Sequence, residues 1–97
     1  MAEAIRIKLG GSVGSVLYSD LAAHLGRDAV FVVAPDLSLV DCGVAVATDD
    51  LATVEAFVRR GALRKPSAAE RTEWSRESER RWNAIVVQPF VLIQDLP

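Results

Sequence analysis

The chain has one thiol, Cys42, and one imidazole, His24. A cysteine beside a histidine can serve as an activated nucleophile, because the imidazole takes the thiol proton. Cys42 stands in the apolar run Leu39 to Ala47, where a thiol is normally a small, inert, buried hydrophobe. His24 follows Leu21 on a short amphipathic stretch, the ordinary setting of a boundary histidine. With no second histidine or cysteine in the chain, a histidine- or cysteine-rich metal site has no ligand set. Lys8-Leu9-Gly10-Gly11-Ser12 offers a lysine next to paired glycines. Glycines let backbone N–H groups approach a phosphate, and the lysine would add charge. Neither a second lysine nor metal-binding carboxylates stand at matching places, so the glycines read as a hinge between elements. Asp49-Asp50 could meet a cation, yet helix capping explains both. The residues therefore point to no catalysis, no metal and no cofactor.

Charge is more informative. Eight of the eleven basic residues fall between Arg59 and Arg81, with four glutamates, so that segment carries net +4 and the remainder net −6. The plainest reading is a solvated, salt-bridged helix and its entry loop. The sharper reading is a docking surface for an acidic partner, which can be the acidic face of another copy. Arg59, Arg60, Arg64, Lys65, Arg71, Trp74, Arg81 and Trp82 are its candidate residues. A basic track with aromatics also suits nucleic acid. The interleaved Glu70, Glu73, Glu77 and Glu79 and an isoelectric point near 5.3 argue against that partner.

These residues need elements to position them. Ile5, Ile7 and Leu9 alternate with Arg6 and Lys8 at a strand-like period of two. Tyr18 to Leu25 is helical in pattern, with Ser19 or Asp20 as cap and Gly26 as terminator. Ala29 to Val33 reads as a strand. A turn at Ala34 to Ser38 leads into Leu39 to Ala47, whose valines at 40, 44 and 46 alternate as in a second strand, which implies an antiparallel hairpin. Thr48-Asp49-Asp50 caps the clearest helix, with the apolar stripe Leu51, Val54, Phe57 and Val58, closed by Arg59, Arg60 and Gly61. Ala62 to Lys65 is a short connection or an edge strand. Ser67 and Glu70 form a capping box for a polar helix running to about Arg81, with Glu73–Arg76, Glu77–Arg80 and Glu77–Arg81 pairs along it. Its narrow stripe, Trp74 and Trp82, lays it across the surface. Ala84 to Val87 and Phe90 to Ile93 read as buried strand, bent, bulged or split at Pro89.

Ninety-seven residues support one domain, 1–97, burying about 60–65% of the surface its unfolded chain exposes. An apolar content of 51% argues against disorder. Mean hydropathy of +0.22 is high for so small a domain, which suggests apolar side chains outside the core, in an oligomer interface. The acidic start Met1-Ala2-Glu3-Ala4 is unlike a signal peptide. The longest apolar run, Ala84 to Ile93, is about half the roughly 20 residues of a membrane helix. One cysteine precludes an internal disulfide. These features fit a cytoplasmic setting without membrane attachment.

Three blocks together resemble the bacterial family known as domain of unknown function 2288. The first runs from Pro35-Asp36-Leu37-Ser38-Leu39-Val40-Asp41 through Val44 to Asp50 into Val54-Glu55-Ala56-Phe57. The second is Gly61-Ala62-Leu63-Arg64-Lys65 followed by the polar helix with Trp74. The third and most specific is Trp82-Asn83-Ala84-Ile85-Val86-Val87-Gln88-Pro89-Phe90-Val91-Leu92-Ile93-Gln94. The resemblance covers nearly the whole chain from about Ile5. Tyr18 and Phe90 stand where tryptophan is expected, and the opening is richer in glycine than the family's. Against that family Ile5 to Leu9 looks like helix rather than strand. The resemblance implies a small cytosolic protein with no established activity, so no catalytic residue carries over. It also weakens a second similarity, that of Ile7 to Ser12 to the opening of amino-acid kinases, which are far larger domains.

The expected fold is α+β: a small antiparallel or mixed sheet of three to four strands built on a hairpin, with helices mainly on one face. The expected function is a non-catalytic interaction or accessory module that forms a homodimer. One alternative is a small-molecule-binding or enzymatic domain, with a pocket between sheet and polar helix walled by Trp74 or Trp82. The other is a nucleic-acid accessory protein using the Arg59–Arg81 segment.

Overall fold

The computed structural model of the chain describes residues 13–96. The reading of Ile5 to Leu9 and the paired glycines at 10 and 11 lie outside those residues. In chain order the elements are β1 (Gly14–Leu17), α1 (Tyr18–Gly26), β2 (Val30–Val33), α2 (Leu39–Ala47), α3 (Leu51–Arg59), β3 (Leu63–Arg64), α4 (Ala68–Ser75), β4 (Arg81–Val87) and β5 (Phe90–Asp95). The fold is α+β, with five strands in one mixed sheet among the described residues, more than the three to four expected. Their order is β1-β4-β5-β2-β3. Only β2 and β5 run parallel, Val30 opposite Val91 and Val32 opposite Ile93; the other neighbours are antiparallel.

Strand alternation sorts the core into two layers, because successive side chains point to opposite faces of a sheet. Val30, Trp82, Ala84, Val91 and Ile93 face one side, where they meet Leu21 and Leu25 of α1 and Trp74 of α4. Val33, Ile85, Leu92 and Leu63 face the other, against Leu39 and Cys42 of α2. Val54 and Phe57 of α3 pack on that second cluster as half-buried neighbours. Helices therefore cover both faces of the sheet, where coverage mainly of one was expected.

The hairpin is also placed differently. Leu39 to Ala47 is helix, not strand. Ser38 caps it, its Oγ accepting the Asp41 N–H at 3.2 Å. Leu39, Cys42, Gly43 and Ala45 are its buried residues, the i, i+3, i+4 spacing of a helix face. Every position of the run except Asp41 is apolar or glycine, so alternation could not discriminate strand from helix. The hairpin is instead β4–β5, with Val87 paired to Phe90 around a cis Gln88–Pro89 bond. Pro89 thus splits the C-terminal run in two. It sits in the turn, where no ladder donor is required.

The polar helix stops at Ser75, six residues short of expectation. Turns follow, with Glu77 N–H donating to Trp74 C=O at 3.0 Å and Arg80 N–H to Glu77 C=O at 3.1 Å. Trp82 accordingly belongs to β4. Both tryptophans are core residues, at 3% and 1% exposure; Trp74 anchors the otherwise largely exposed α4 as expected, whereas Trp82 does so from the sheet and not from the helix. Their rings meet edge-on at 5.1 Å between centroids, and the Arg80 guanidinium covers both, 4.9 Å from the Trp82 ring centre. The caps of α3 and α4 follow the sequence closely, while α1 starts from Leu17 instead of Ser19 or Asp20, with Asp20 three residues into the first turn. Asp50 caps α3, accepting from Thr53 N–H, and Ser67 with Glu70 makes the capping box of α4. Asp20 accepts the Leu17 N–H at 2.9 Å at the start of α1.

Candidate functional site

Helix α3 has the clearest apolar stripe in the chain, yet it contains no buried residue. The stripe is wider than the contact it makes. Val54 and Phe57 turn toward the sheet, and Leu51 and Val58, seven residues apart, stand together on the shoulder of the helix. They are 69% and 55% exposed. Beside them lies an apolar cleft of about 230 Å³, with Val46 of α2, Val54 of α3 and Phe31, Phe90 and Leu92 of the sheet in its walls. Phe31 and Phe90 meet edge-on at 5.5 Å and form its sheet-side wall. Asp49, with a positive φ of 54°, stands at the N-terminal end of the helix and lines the same cleft. A shallower depression continues along α3 past Val54 and Val58 to Glu55 and Arg59. The surface is thus an apolar strip with an acidic end and a basic end.

The eight residues expected to form a basic docking surface do not converge. Trp74 and Trp82 are enclosed in the core and offer nothing to a partner. Arg64 makes a two-pronged pair with Glu70, at 2.6 and 3.0 Å. Lys65 and Arg71 both engage Asp28, at 2.5 and 3.0 Å. Arg71 also donates to the Leu25 carbonyl, which closes α4 onto the end of α1. Asp28 is held below its usual carboxylate range, first by the Lys65 hydrogen bond. Arg81 donates to Ser15 Oγ across β4 and β1 at 3.3 Å. Of the eight, Arg59 and Arg60 flank the apolar strip along α3, and Lys65 reaches the Phe31 wall of the cleft, 6.0 Å from that ring's centre. Arg60 stacks over Phe57, 5.9 Å from its ring centre. Of the helix pairs expected, Glu77–Arg80 forms at 2.9 Å, in a turn rather than a helix, and Arg80 also reaches Asp95 at 2.8 Å.

The chemistry-bearing singletons are separated. Cys42 packs in the layer on one face of the sheet, and His24 belongs to α1 on the other. Cys42 is fully buried, and burial pushes its thiol up to about 11. His24 Nδ1 lies against the Arg27 guanidinium. Among the described residues, no group of three or more His, Cys, Asp and Glu side chains could hold a metal ion. Among them, too, no helix is long and apolar enough to cross a membrane.

Residues 4–95 match the family described as "Protein of unknown function (DUF2288)". The chain belongs to that family. Among solved structures, this DUF2288 chain is similar to the NMR solution structure of PA1075 from Pseudomonas aeruginosa, at 29% identity and a TM-score of 0.81. The match covers 97% of this chain and 86% of the other. No curated protein matches. The three sequence blocks that carried the family resemblance map to α2 with α3, to β3 with α4, and to the β4–β5 hairpin.

Leu51, Val58, Phe31 and Phe90 had not been singled out as surface-forming. A signal existed in the α3 stripe. Four large apolar residues on nine helical positions exceed what one line of contact buries, so one edge of the stripe has to face outward.

Proposed function

We propose that the protein is a small bacterial cytosolic accessory module without catalysis of its own, which acts by protein contact and self-associates. The observation carrying this reading is α3, a helix with a strong apolar stripe and no buried residue. Single exposed hydrophobes are ordinary. Leu51 and Val58 are different in sharing one helix shoulder that adjoins an apolar cleft, so together they form a contiguous patch. Covering the parts still exposed, 69% of Leu51 and 55% of Val58, would contribute about 1–2 kcal/mol each.

The lining favours a protein partner over a small ligand. The cleft, at about 230 Å³, has Asp49 as the one charged side chain in an otherwise apolar lining, without the several convergent polar groups that orient a small ligand. Room for one or two aliphatic side chains suits a protein contact. The nucleic-acid alternative loses its footing because Arg64, Lys65, Arg71 and Arg80 already pair with carboxylates. Those pairs also weaken the case for an acidic partner at that segment.

Sedimentation equilibrium tests the reading. The expected result is a mass that rises with concentration from the monomer's 10.5 kDa toward twice that value. A constant 10.5 kDa up to about 1 mM, beyond any specific contact of useful strength, overturns it.

A further inference from the structure

We infer that the second copy docks through α3 itself, the two helices lying antiparallel across a two-fold axis near Val54. This rests on the self-association proposed above and adds the face, the direction and the register.

A two-fold contact uses the same patch twice, so the patch must be complementary to itself when reversed. The α3 strip has that property. Leu51 lies three residues before Val54 and Val58 four after it. Asp49 lies five before and Arg59 five after. Reversal about Val54 places Leu51 near Val58 of the second copy and Asp49 near Arg59 of the second copy, and symmetry repeats both contacts. A parallel arrangement would oppose acid to acid and base to base. Antiparallel alignment also sets the positive dipole end of each helix beside the negative end of the other.

The charges at these two ends are available. Among the described residues Asp49, Glu55, Arg59 and Arg60 form no ion pair, whereas Arg64, Lys65, Arg71 and Arg80 each do. The occupant is thereby restricted. A uniformly acidic partner would meet Asp49 as a like charge, and a uniformly basic one would meet Arg59 and Arg60; Glu55, one residue from the axis, faces its own symmetry mate and is the one like-charge contact of the arrangement. The strip fits a helix with an acidic end, an apolar middle and a basic end in reverse order, and this chain presents such a helix. The cleft beside Val54 receives the aliphatic side chains that the second copy brings across the axis. Nine residues at 1.5 Å each make a helix about 13 Å long, so the contact is small and the dimer dissociates on dilution.

Two variants of the full chain test this. Leu51→Asp puts a carboxylate on the strip. Leu51 is 69% exposed and opens the helix, where aspartate is favoured, so the fold tolerates it. Glu55→Cys places a thiol next to the axis, and Glu73→Cys places one on exposed α4, over the opposite face of the sheet, as the control. The native Cys42 is buried and does not compete. Expected are a dissociation constant raised about tenfold or more by Leu51→Asp, weaker association at high salt, and a Glu55→Cys disulfide dimer forming about ten times faster than that of Glu73→Cys. If the chain dimerises but Leu51→Asp changes nothing and the two cysteine variants cross-link equally, α3 is the wrong face and self-association stands. A wild-type chain that stays monomeric at every concentration overturns both.

Discussion

Removing the charge of Glu70 while keeping its shape isolates one electrostatic link between β3 and α4. In the folded chain Glu70 accepts two hydrogen bonds from Arg64, at 2.6 and 3.0 Å, and one from the Ser67 N–H at 3.0 Å. The Arg64 hydrogen bonds do most to hold its carboxyl down, to about 2 from 4.5, with the Ser67 backbone bond adding to them against desolvation. The folded pKa is depressed, so the stabilisation is fully present above pH 4.5 and is lost as pH falls toward 2. At full value such a shift is roughly 3.4 kcal/mol. The Arg64 and Glu70 side chains are 46% and 27% exposed, and solvent screening of so open a pair leaves about 1 kcal/mol. Glu70→Gln keeps an oxygen to accept the Ser67 N–H and loses the charge. Urea unfolding followed by tryptophan fluorescence should show the variant about 1 kcal/mol less stable near pH 7, with the gap closing as pH is lowered toward about 2. A gap that is the same at both ends of that range would mean lost shape or capping rather than lost charge. A gap of zero near neutrality would mean that the pair contributes nothing. Either result refutes the electrostatic account.

Two further perturbations probe the layers on either side of the sheet. Trp82→Ala should cost about 3–5 kcal/mol in urea unfolding, because it empties a site that is 1% exposed and removes the partner of both Trp74 and Arg80; a cost under about 1 kcal/mol would show that this layer repacks freely. Cys42 should resist a thiol reagent in the native chain and react fully in denaturant, since its thiol is buried and pushed up to about 11; rapid labelling under native conditions would place it in a mobile, accessible helix.

Much of the fold was legible where local chemistry and pattern agreed. Ser67 with Glu70 had one physical reading, and it stands; Asp50 is the one of three candidate residues that caps α3, and the split is the one of three readings of Pro89 that holds. The errors came where patterns were degenerate. Leu39 to Ala47 is apolar nearly throughout, so the period of its valines carried no information. Ser38 followed by Asp41 three residues later was the usable signal, an N-terminal cap pattern opening a helix. The polar helix was drawn too long because glutamates and arginines continue past Ser75 at helical spacing. Tertiary structure decided otherwise there, since Trp82 is better buried on the sheet beside Ala84 and Ile93 than on an extended, exposed helix. The α3 strip was visible only in part. Its stripe is evident in the sequence, but which edge of the stripe stays uncovered depends on how α2 and the sheet meet it.

The same reasoning changes the meaning of the charge asymmetry. Along the chain, a net +4 segment stands against a net −6 remainder, which suggests a basic surface seeking an acidic partner. In space the two regions are braced against each other. Asp28, from the acidic remainder, takes both Lys65 and Arg71, and Asp95 takes Arg80. Glu70 takes Arg64 from within the basic segment. Exposed pairs of this kind are worth about 0–1 kcal/mol each, so their main effect is to orient β3, α4 and the turn that brings Arg80 over the tryptophans. Cations held in this way are poorly placed to recruit an external anion, because binding it means giving up an ion pair already formed. Arg59 and Arg60 differ, since no described carboxylate engages them and they flank an uncovered apolar strip with Asp49 at its far end. Arg76 and Arg81 also meet no described carboxylate, but they adjoin no apolar surface of this kind. The free charge that borders an apolar strip is therefore a short dipolar pattern along one helix, and only a partner with the reverse pattern satisfies both of its ends.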